Sequence, residues 1–341
     1  MQQPGTTETR PVVVLLIPHR QFREILDEEA ENALRAVATV KDLGGNGEVT
    51  PDALVGALAD ADAVITSWGS PFLSRELIER APRLRFIGHA AGTIKPYVDV
   101  YALEKGLTVV NAARVMGRGV AEMTLLFALA SLRSLIPFQC TNKPAHRWDR
   151  NLPIRGLFFQ RVGLVGLGQV GRYVLQLFAP FQCRFQVYDP YLPESEAARL
   201  GVEKCNDLGE LFATSRIVSL HAAVTDETVG MIRREHFERM QPGAIFINTA
   251  RGKLVDYAAL VEAAVNGRIQ ICLDVTDPHE PLPSDSPLWD LPNVMITPHI
   301  AGPTPDRRVD MGQDVVARLL RFWRSEPIEG VITLEQYHRM A

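Results

Sequence analysis

The sequence predicts an α/β protein with two doubly wound parallel sheets, each in a domain of its own. Short apolar segments alternate with amphipathic segments along almost the whole chain, which is the pattern of strands joined by helices in a parallel sheet. A length of 341 residues allows about two domains that each bury a core. One glycine-rich turn, in the second alternating segment, distinguishes the two domains.

The first alternating segment runs from Pro11 to Val110. The short apolar runs expected to form its strands are Val12–Ile17, Ala63–Trp68, Leu84–His89 and Leu107–Val110. The amphipathic runs expected to form its helices are Gln21–Thr39, Pro51–Leu58, Ser74–Arg80 and Pro96–Glu104. A further helix, expected over Asp306–Phe322, returns to this sheet. We therefore predict a discontinuous first domain of residues 1–117 and 303–341 around a second domain of residues 118–302.

A long helix is expected between the two segments, from about Arg118 to Arg133. Its apolar residues surround most of the circumference, which predicts burial between domains or subunits. The stretch Pro137–Phe159 that follows is irregular in pattern. An arm that packs on another subunit and a loop that lies against its own domain are both compatible with it.

The second alternating segment forms a sheet of six expected strands. They are Val162–Val165, Phe185–Tyr188, Ile217–Leu220, Ala244–Asn248, Ile269–Leu273 and Val294–Ile296. After the helix that opens at the glycine turn, the expected helices are Ser195–Leu200, Asp207–Ala213, Arg234–Met240 and Asp256–Asn266. Six strands are the number in a complete dinucleotide-binding sheet.

The glycine-rich turn joins the first of these strands to its helix. The motif is Gly166-x-Gly168-x-x-Gly171, with Gln169 and Val170 at the start of the helix. The glycines permit a tight turn, a close approach of a pyrophosphate and close packing of helix on strand. Asp189 ends the next strand about 20 residues later, where a carboxylate accepts hydrogen bonds from ribose hydroxyls and repels a 2′-phosphate. The sequence therefore predicts NAD rather than NADP.

Composition disfavours several other classes of partner. The net charge is −4 and no basic block is present, so neither nucleic acid nor an anionic membrane is expected to bind. The four cysteines lack metal-ligand spacing and are expected to be buried thiols, and no metal site is predicted. The N-terminus lacks a signal-peptide pattern, and no apolar run approaches a membrane span, so we expect a cytoplasmic protein.

Polar side chains that follow three strands of the second domain are the candidates for chemistry. Arg251 follows one strand and offers a planar fork of donors that suits a carboxylate. His299 follows the last strand and is the natural proton donor near neutral pH. Glu280 follows the strand between them in the chain, and a glutamate bonded to an imidazole favours its protonated form. These three would supply a substrate anchor and an acid/base pair.

The chain resembles the D-isomer-specific 2-hydroxyacid dehydrogenase family over most of its length. The motifs that carry the resemblance are VGLVGLGQVGR, SRIVSLHAAVTDETVGMI, MQPGAIFINTARGKLVD and LPNVMITPHIAG. The resemblance implies a Rossmann NAD-binding domain inserted into a flavodoxin-like substrate-binding domain, a homodimer, and a 2-oxo or 2-hydroxy acid substrate. It implies that Arg251, Glu280 and His299 are catalytic. It further implies NAD contacts by His221, Thr249, Ala250 and Asp274, and substrate contacts by Ala91, Gly92 and Thr93 in addition to Arg251 and His299.

The chain departs from the family pattern in places that bear on the substrate. Ile94 stands where a second glycine is usual and Lys95 adds a charge, so the anion-binding loop is expected to differ. Arg114 and Arg118 would either read a second acidic group or form a solvent-facing helix start, and the second interpretation is favoured. An inserted histidine lengthens the acidic segment, so Asp277 is the fallback for Glu280.

Two other functions share these features. An NAD(H)-sensing protein of the corepressor type would keep the same three catalytic residue types without relying on turnover. Oxidation of formate or phosphite would use the same scaffold on a smaller anion. The sequence leaves open the identity of the acid, the direction of the reaction and the dimer interface.

Overall fold

The computed structural model describes residues 10–44, 49–148 and 150–340. Most of the N-terminal segment that bears on the predicted location lies outside these ranges. The chain divides into two compact units, one formed by residues up to Met116 together with those from Thr304 onward, and one formed by Gly117–Pro303. Both units are parallel α/β structures, so the predicted fold class is confirmed.

The first unit contains a five-stranded parallel sheet in the order β2-β1-β3-β4-β5. Its strands are β1 Val12–Leu15, β2 Thr39–Asp42, β3 Ala63–Thr66, β4 Phe86–His89 and β5 Thr108–Asn111. The prediction missed β2 and extended a helix to Thr39 instead. This edge strand has no fully buried residue, so its sequence lacks the apolar run that marks the other four.

Helices cover both faces of this first sheet. They are Phe22–Ile25, Glu28–Val37, Pro51–Leu58, Arg75–Glu79, Tyr101–Glu104, Val309–Trp323 and Leu334–Arg339. Ser74 accepts a hydrogen bond from the Leu77 N–H and caps its helix as predicted. The helix Val309–Trp323 packs against β4 at Gly88, where a Cβ atom would lie 2.3 Å from Val315 Cγ1. Gly88 therefore allows this helix to approach the sheet closely.

The second unit contains a seven-stranded parallel sheet in the order β12-β11-β10-β9-β6-β7-β8. Its strands are β6 Arg161–Val165, β7 Arg184–Tyr188, β8 Glu203–Lys204, β9 Ile217–Leu220, β10 Ile245–Asn248, β11 Gln270–Leu273 and β12 Val294–Ile296. Six of the seven were predicted. The seventh, β8, is a two-residue edge strand, which is too short to leave a periodic pattern.

The helices of the second unit pack on both faces of its sheet. Those after β6 are Gln169–Phe178, Glu194–Leu200, Leu208–Thr214, Arg234–Arg239 and Tyr257–Asn266. One face buries Phe178 against Val162 and Leu164, and the other buries Phe212 against Phe246. A sheet that is apolar on both faces explains why its strands read as continuous apolar runs.

The long helix Ala113–Leu132 begins five residues before its predicted start. The Asn111 side chain accepts a hydrogen bond from the Ala113 N–H and so supports an earlier first turn. Phe127 and Ala128 are buried against the second sheet, whereas Leu126 is 56% exposed. Within the described residues it is the one helix long and apolar enough to cross a membrane, by length and composition alone, and 44% of its most apolar window is buried in the protein.

The cysteines and the irregular segment differ in part from expectation. All four cysteines are free, but only Cys205 and Cys272 are buried. Cys140 is exposed because it lies after the long helix, where the chain forms the short helical segments Leu135–Pro137 and Phe138–Asn142 rather than a core element. Trp148 in the same segment is 82% exposed.

Candidate active site

The three glycines of the turn after β6 are required for three different reasons. Gly166 has φ +90°, and a Cβ atom there would lie 2.8 Å from the backbone N and Cα of Ala222. A Cβ atom on Gly168 would meet nothing within 4 Å, so the open side of the turn can admit a pyrophosphate. A Cβ atom on Gly171 would lie 2.9 Å from the Gly166 carbonyl oxygen, so this glycine lets helix and turn pack together. The helix begins at Gln169 and Val170, whose backbone N–H groups belong to its first turn.

Asp189 follows β7 and organises the glycine turn from the side. One carboxylate oxygen accepts a hydrogen bond from the Leu167 N–H at 2.8 Å, and the other accepts from the Tyr191 N–H at 2.9 Å. Each oxygen keeps a further lone pair for a ribose hydroxyl. The carboxylate thus both shapes the turn and stands where the ribose of NAD is expected.

His221 follows β9 and contacts the glycine turn through its backbone. Neither ring nitrogen is exposed or has a hydrogen-bond partner among the described residues. Burial lowers the pKa of His221 to about 3, so the ring is neutral at physiological pH. Buried polar atoms without partners are costly in a folded protein, and they are the kind of group that a bound dinucleotide would satisfy.

The loop after β10 carries Arg251 in a fixed backbone conformation. The Asn248 side chain accepts a hydrogen bond from the Ala250 N–H and donates one to the Arg251 carbonyl oxygen. Thr249 is buried, with its hydroxyl 3.3 Å from that of Thr124. Desolvation by the surrounding protein lowers the pKa of the Arg251 guanidinium, while the charge of Glu280 acts in the opposite direction. Arg251 and Glu280 are therefore close enough to interact electrostatically.

Gly252 brings the Arg251 loop against the loop that follows β11. A Cβ atom at this position would lie 2.3 Å from the carbonyl carbon of Thr276 and 2.5 Å from the amide nitrogen of Asp277. Any larger residue would push the two loops apart. The contact explains how Arg251 and the acidic segment come to the same place.

Asp274, at the end of β11, organises the loop that carries His299. Its side chain is 2% exposed and accepts hydrogen bonds from the Thr297 hydroxyl at 2.6 Å and from the N–H groups of Ile300 at 2.8 Å and Ala301 at 2.9 Å. Its carbonyl oxygen accepts a bond from the His299 N–H. These contacts give Asp274 a positioning role, in addition to the NAD contact that the family resemblance implies.

His299 and Glu280 form a hydrogen-bonded pair. The Glu280 carboxylate bonds to Nδ1 of the imidazole, and both side chains are partly exposed, at 49% for His299 and 41% for Glu280. His299 has φ +55°, a left-handed conformation that the surrounding loop contacts maintain. The residue that partners His299 is Glu280 and not the fallback Asp277. Nε2 is left for proton exchange with a substrate.

The residues expected to hold the substrate carboxylate lie in the first unit, after β4. Ala91 and Ile94 are fully buried, so Ile94 belongs to the core and its bulk is not presented by the loop. The Gly92 carbonyl oxygen accepts a hydrogen bond from Asn111, and the Thr93 hydroxyl is buried without a partner among the described residues. Lys95 donates a hydrogen bond to the His338 carbonyl oxygen, which holds its charge near the C-terminal helix.

The two extra arginines also have local partners. Arg114 pairs with Glu329 within the first unit, and both side chains are exposed. The Arg118 guanidinium lies 5.8 Å from the centre of the Tyr173 ring within the second unit. These contacts favour the solvent-facing interpretation. No group of three or more metal-binding side chains is found in the described parts of the chain.

Comparison with known proteins identifies close similarity over most of the chain. Residues 125–301 match the family model described as D-isomer specific 2-hydroxyacid dehydrogenase, NAD binding domain, which confirms NAD as the cofactor. The chain is 34% identical over 314 residues to a D-3-phosphoglycerate dehydrogenase of Methanocaldococcus jannaschii, covering 91% of this chain and 59% of that protein. It is 36% identical over 287 residues to glyoxylate/hydroxypyruvate reductase B of Pectobacterium carotovorum, covering 81% of this chain and 87% of that one.

A solved phosphoglycerate oxidoreductase from Rhizobium etli is similar in structure. Its TM-score is 0.81 at 28% sequence identity, over 95% of this chain and 98% of the other. The chain spans little more than half the length of the D-3-phosphoglycerate dehydrogenases that it matches, 59% in the archaeal example. The likeness of fold therefore extends over nearly the whole chain, whereas the match covers only part of those longer enzymes.

Proposed function

The chain belongs to the D-isomer specific 2-hydroxyacid dehydrogenase family, and we propose that it reversibly reduces a 2-oxo acid to the D-2-hydroxy acid with NADH. The observation that carries the proposal is the hydrogen-bonded pair of His299 and Glu280 within electrostatic reach of Arg251. An anchor for a carboxylate and an acid/base pair are the groups that such a reduction requires.

Arg251, Glu280 and His299 have different roles in the proposed reaction. Arg251 binds the substrate carboxylate and polarises the neighbouring carbonyl group. Glu280 holds the imidazole through Nδ1, so that Nε2 of His299 gives a proton to the carbonyl oxygen. NADH supplies the hydride that the carbonyl carbon accepts. In the oxidative direction His299 takes the hydroxyl proton as hydride leaves the carbon.

We propose a small 2-oxo monocarboxylic acid, such as glyoxylate or hydroxypyruvate, as the substrate. Lys95 and Arg114 have partners in their own unit, so neither supports recognition of a second acidic group. The similarity to the Pectobacterium reductase, which extends over 87% of that protein, points the same way. We further propose a cytoplasmic homodimer, for which the exposed apolar side chains Trp148, Phe158 and Phe159 offer a contact surface.

The test follows NADH oxidation, by its near-ultraviolet absorbance, with glyoxylate, hydroxypyruvate, pyruvate and 2-oxoglutarate. Wild type is compared with His299→Ala, Glu280→Gln and the matched control Asp277→Asn. We expect turnover with glyoxylate or hydroxypyruvate, a fall in kcat of about 100-fold or more in the first two variants, and near-normal activity in the control. Tight NADH binding without turnover on any acid would contradict the proposal and favour the sensing function.

A further inference from the structure

A second concave site lies at the opposite edge of the seven-stranded sheet from the candidate active site. It is a cavity of about 450 Å³. Its lining includes Pro242 and Gly243 before β10, Gly267 and Arg268 before β11, and Asn293 before β12. Arg251, Glu280 and His299 all follow the carboxyl ends of these strands, so the cavity does not belong to the proposed active site.

Two arginines in the wall of the cavity and a third beside it make its surroundings positively charged. Arg155 and Arg268 line it, and the Arg216 guanidinium donates a hydrogen bond to the carbonyl oxygen of Pro242, another lining residue. None of the described residues that line the cavity is acidic. The surroundings therefore suit an anion.

The hydrogen bonds of these arginines leave donors available. Arg268 uses Nη2 to bond three backbone carbonyl oxygens, and Arg216 bonds Pro242 and Gln241. The Arg155 guanidinium has no acceptor among the described residues, and its charge repels that of Arg216. Burial, and then the charge of Arg155, lower the pKa of Arg216. An anion bound in the cavity would reduce this repulsion between the two guanidinium groups.

The remaining wall of the cavity is largely aliphatic. Leu132, Pro137 and Pro153 line one part of it, and Ile245 and Ile269 another. Its volume is within the range of sites for small organic molecules. A ligand that fits would combine an anionic group with an apolar body.

We propose that this cavity binds a small organic anion, a carboxylate or a phosphate monoester with an apolar body, whose charged group contacts Arg155 and Arg268 in the cavity wall. The site goes beyond the proposed dehydrogenase function, because it lies at the other edge of the sheet and shares no residue with the catalytic set.

The test is a thermal titration of the whole protein at constant ionic strength, with benzoate, phenyl phosphate and inorganic phosphate as separate probes. NADH is kept saturating so that the glycine turn does not bind the phosphate probes. We expect phenyl phosphate or benzoate to raise Tm by about 3 °C near saturation. Inorganic phosphate should give the same rise of Tm only at a concentration about tenfold higher than that of phenyl phosphate, because it cannot contact the aliphatic wall.

The variants decide whether binding occurs in this cavity. Arg155→Gln should raise the probe concentration that gives the same rise of Tm at least tenfold, and Arg216→Gln, which removes a charge beside the wall, should raise it by less. Arg147→Gln, which removes an exposed arginine from the irregular segment, should behave as wild type. Arg155 is itself exposed, so its replacement leaves the fold intact. No rise of Tm in wild type with any probe, or an equal rise in wild type and Arg155→Gln, would overturn the proposal. Stronger binding of benzoate or of phenyl phosphate identifies the anionic group that the site prefers.

Discussion

Replacing Asp274 by asparagine tests whether this carboxylate holds the loop of His299 in place. The wild-type side chain is 2% exposed and accepts three hydrogen bonds, two of them on Oδ1 and one, from the Ala301 N–H, on Oδ2. An asparagine has the same shape but only one acceptor oxygen. With that oxygen in the Oδ1 position, the amide nitrogen of the asparagine faces the Ala301 N–H. The charge-assisted hydrogen bond from Ala301 is then lost, and two donors face each other without an acceptor. We expect a loss of about 3 kcal/mol in the free energy of unfolding.

The assay is urea denaturation followed by tryptophan fluorescence. A Trp68→Phe, Trp323→Phe background leaves Trp148 and Trp289 to report on residues 117–303. The control is Asp207→Asn, because exposed Asp207 caps the helix Leu208–Thr214 through the Glu210 N–H and asparagine is an equally good cap. The control should change stability by less than about 0.5 kcal/mol. An Asp274→Asn protein as stable as the control would refute the positioning role.

Three further predictions concern residues that follow the strands of the second unit. Replacing His221 by leucine should reduce the dependence of the free energy of unfolding on pH. Burial lowers the pKa of His221 from 6.5 to about 3 in the folded state, so between these pH values only the unfolded state binds the proton. Wild type should lose about 1.4 kcal/mol per pH unit from this group as pH falls from 6.5 towards 3, and equal slopes in the two proteins would contradict the burial argument. Gly252→Ala should destabilise the protein by about 2 kcal/mol or more through its contact with Thr276. Gly168→Ala should leave stability unchanged and weaken NADH binding at least tenfold, since its methyl group would occupy space that is open in the turn. Denaturation measures the stability of both variants, and NADH fluorescence measures their binding. A stable Gly252→Ala and a destabilised Gly168→Ala with normal NADH binding would contradict the roles given to the two glycines.

The elements that the sequence predicted well are those whose residues are buried on both sides. Five strands have all four of their residues buried, so each appears in the sequence as a mainly apolar run: β1, β3, β4, β9 and β10. The half-exposed edge strand Thr39–Asp42 carries no such signal. The start of the long helix was predicted too late because its first turn depends on a hydrogen bond that the Asn111 side chain accepts from the Ala113 N–H, which apolar periodicity does not reveal.

The composition of the candidate site could be predicted, but its internal contacts could not. Arg251, Glu280 and His299 were chosen because each follows a strand. The choice between Glu280 and Asp277 depends on which carboxylate reaches the imidazole, and this is decided by the path of the chain between β11 and β12. In the same way, nothing in the local sequence shows that three donors of the loop 297–301 would converge on Asp274.

The order of strands explains why these loops depend on each other, and it also limits what the second cavity can do. Strands β10, β11 and β12 are neighbours in the sheet, so the loops at their carboxyl ends touch, as Gly252 and Thr276 do. The cavity lies at the other ends of the same strands, about 13 Å away for strands of four residues. An anion that binds there only in the folded state would raise Tm. A change in kcat would require a second conformation of the catalytic loops for which the anion has a different affinity. The titration of Tm and a parallel measurement of kcat therefore separate a site that only stabilises the sheet from one that regulates the reaction.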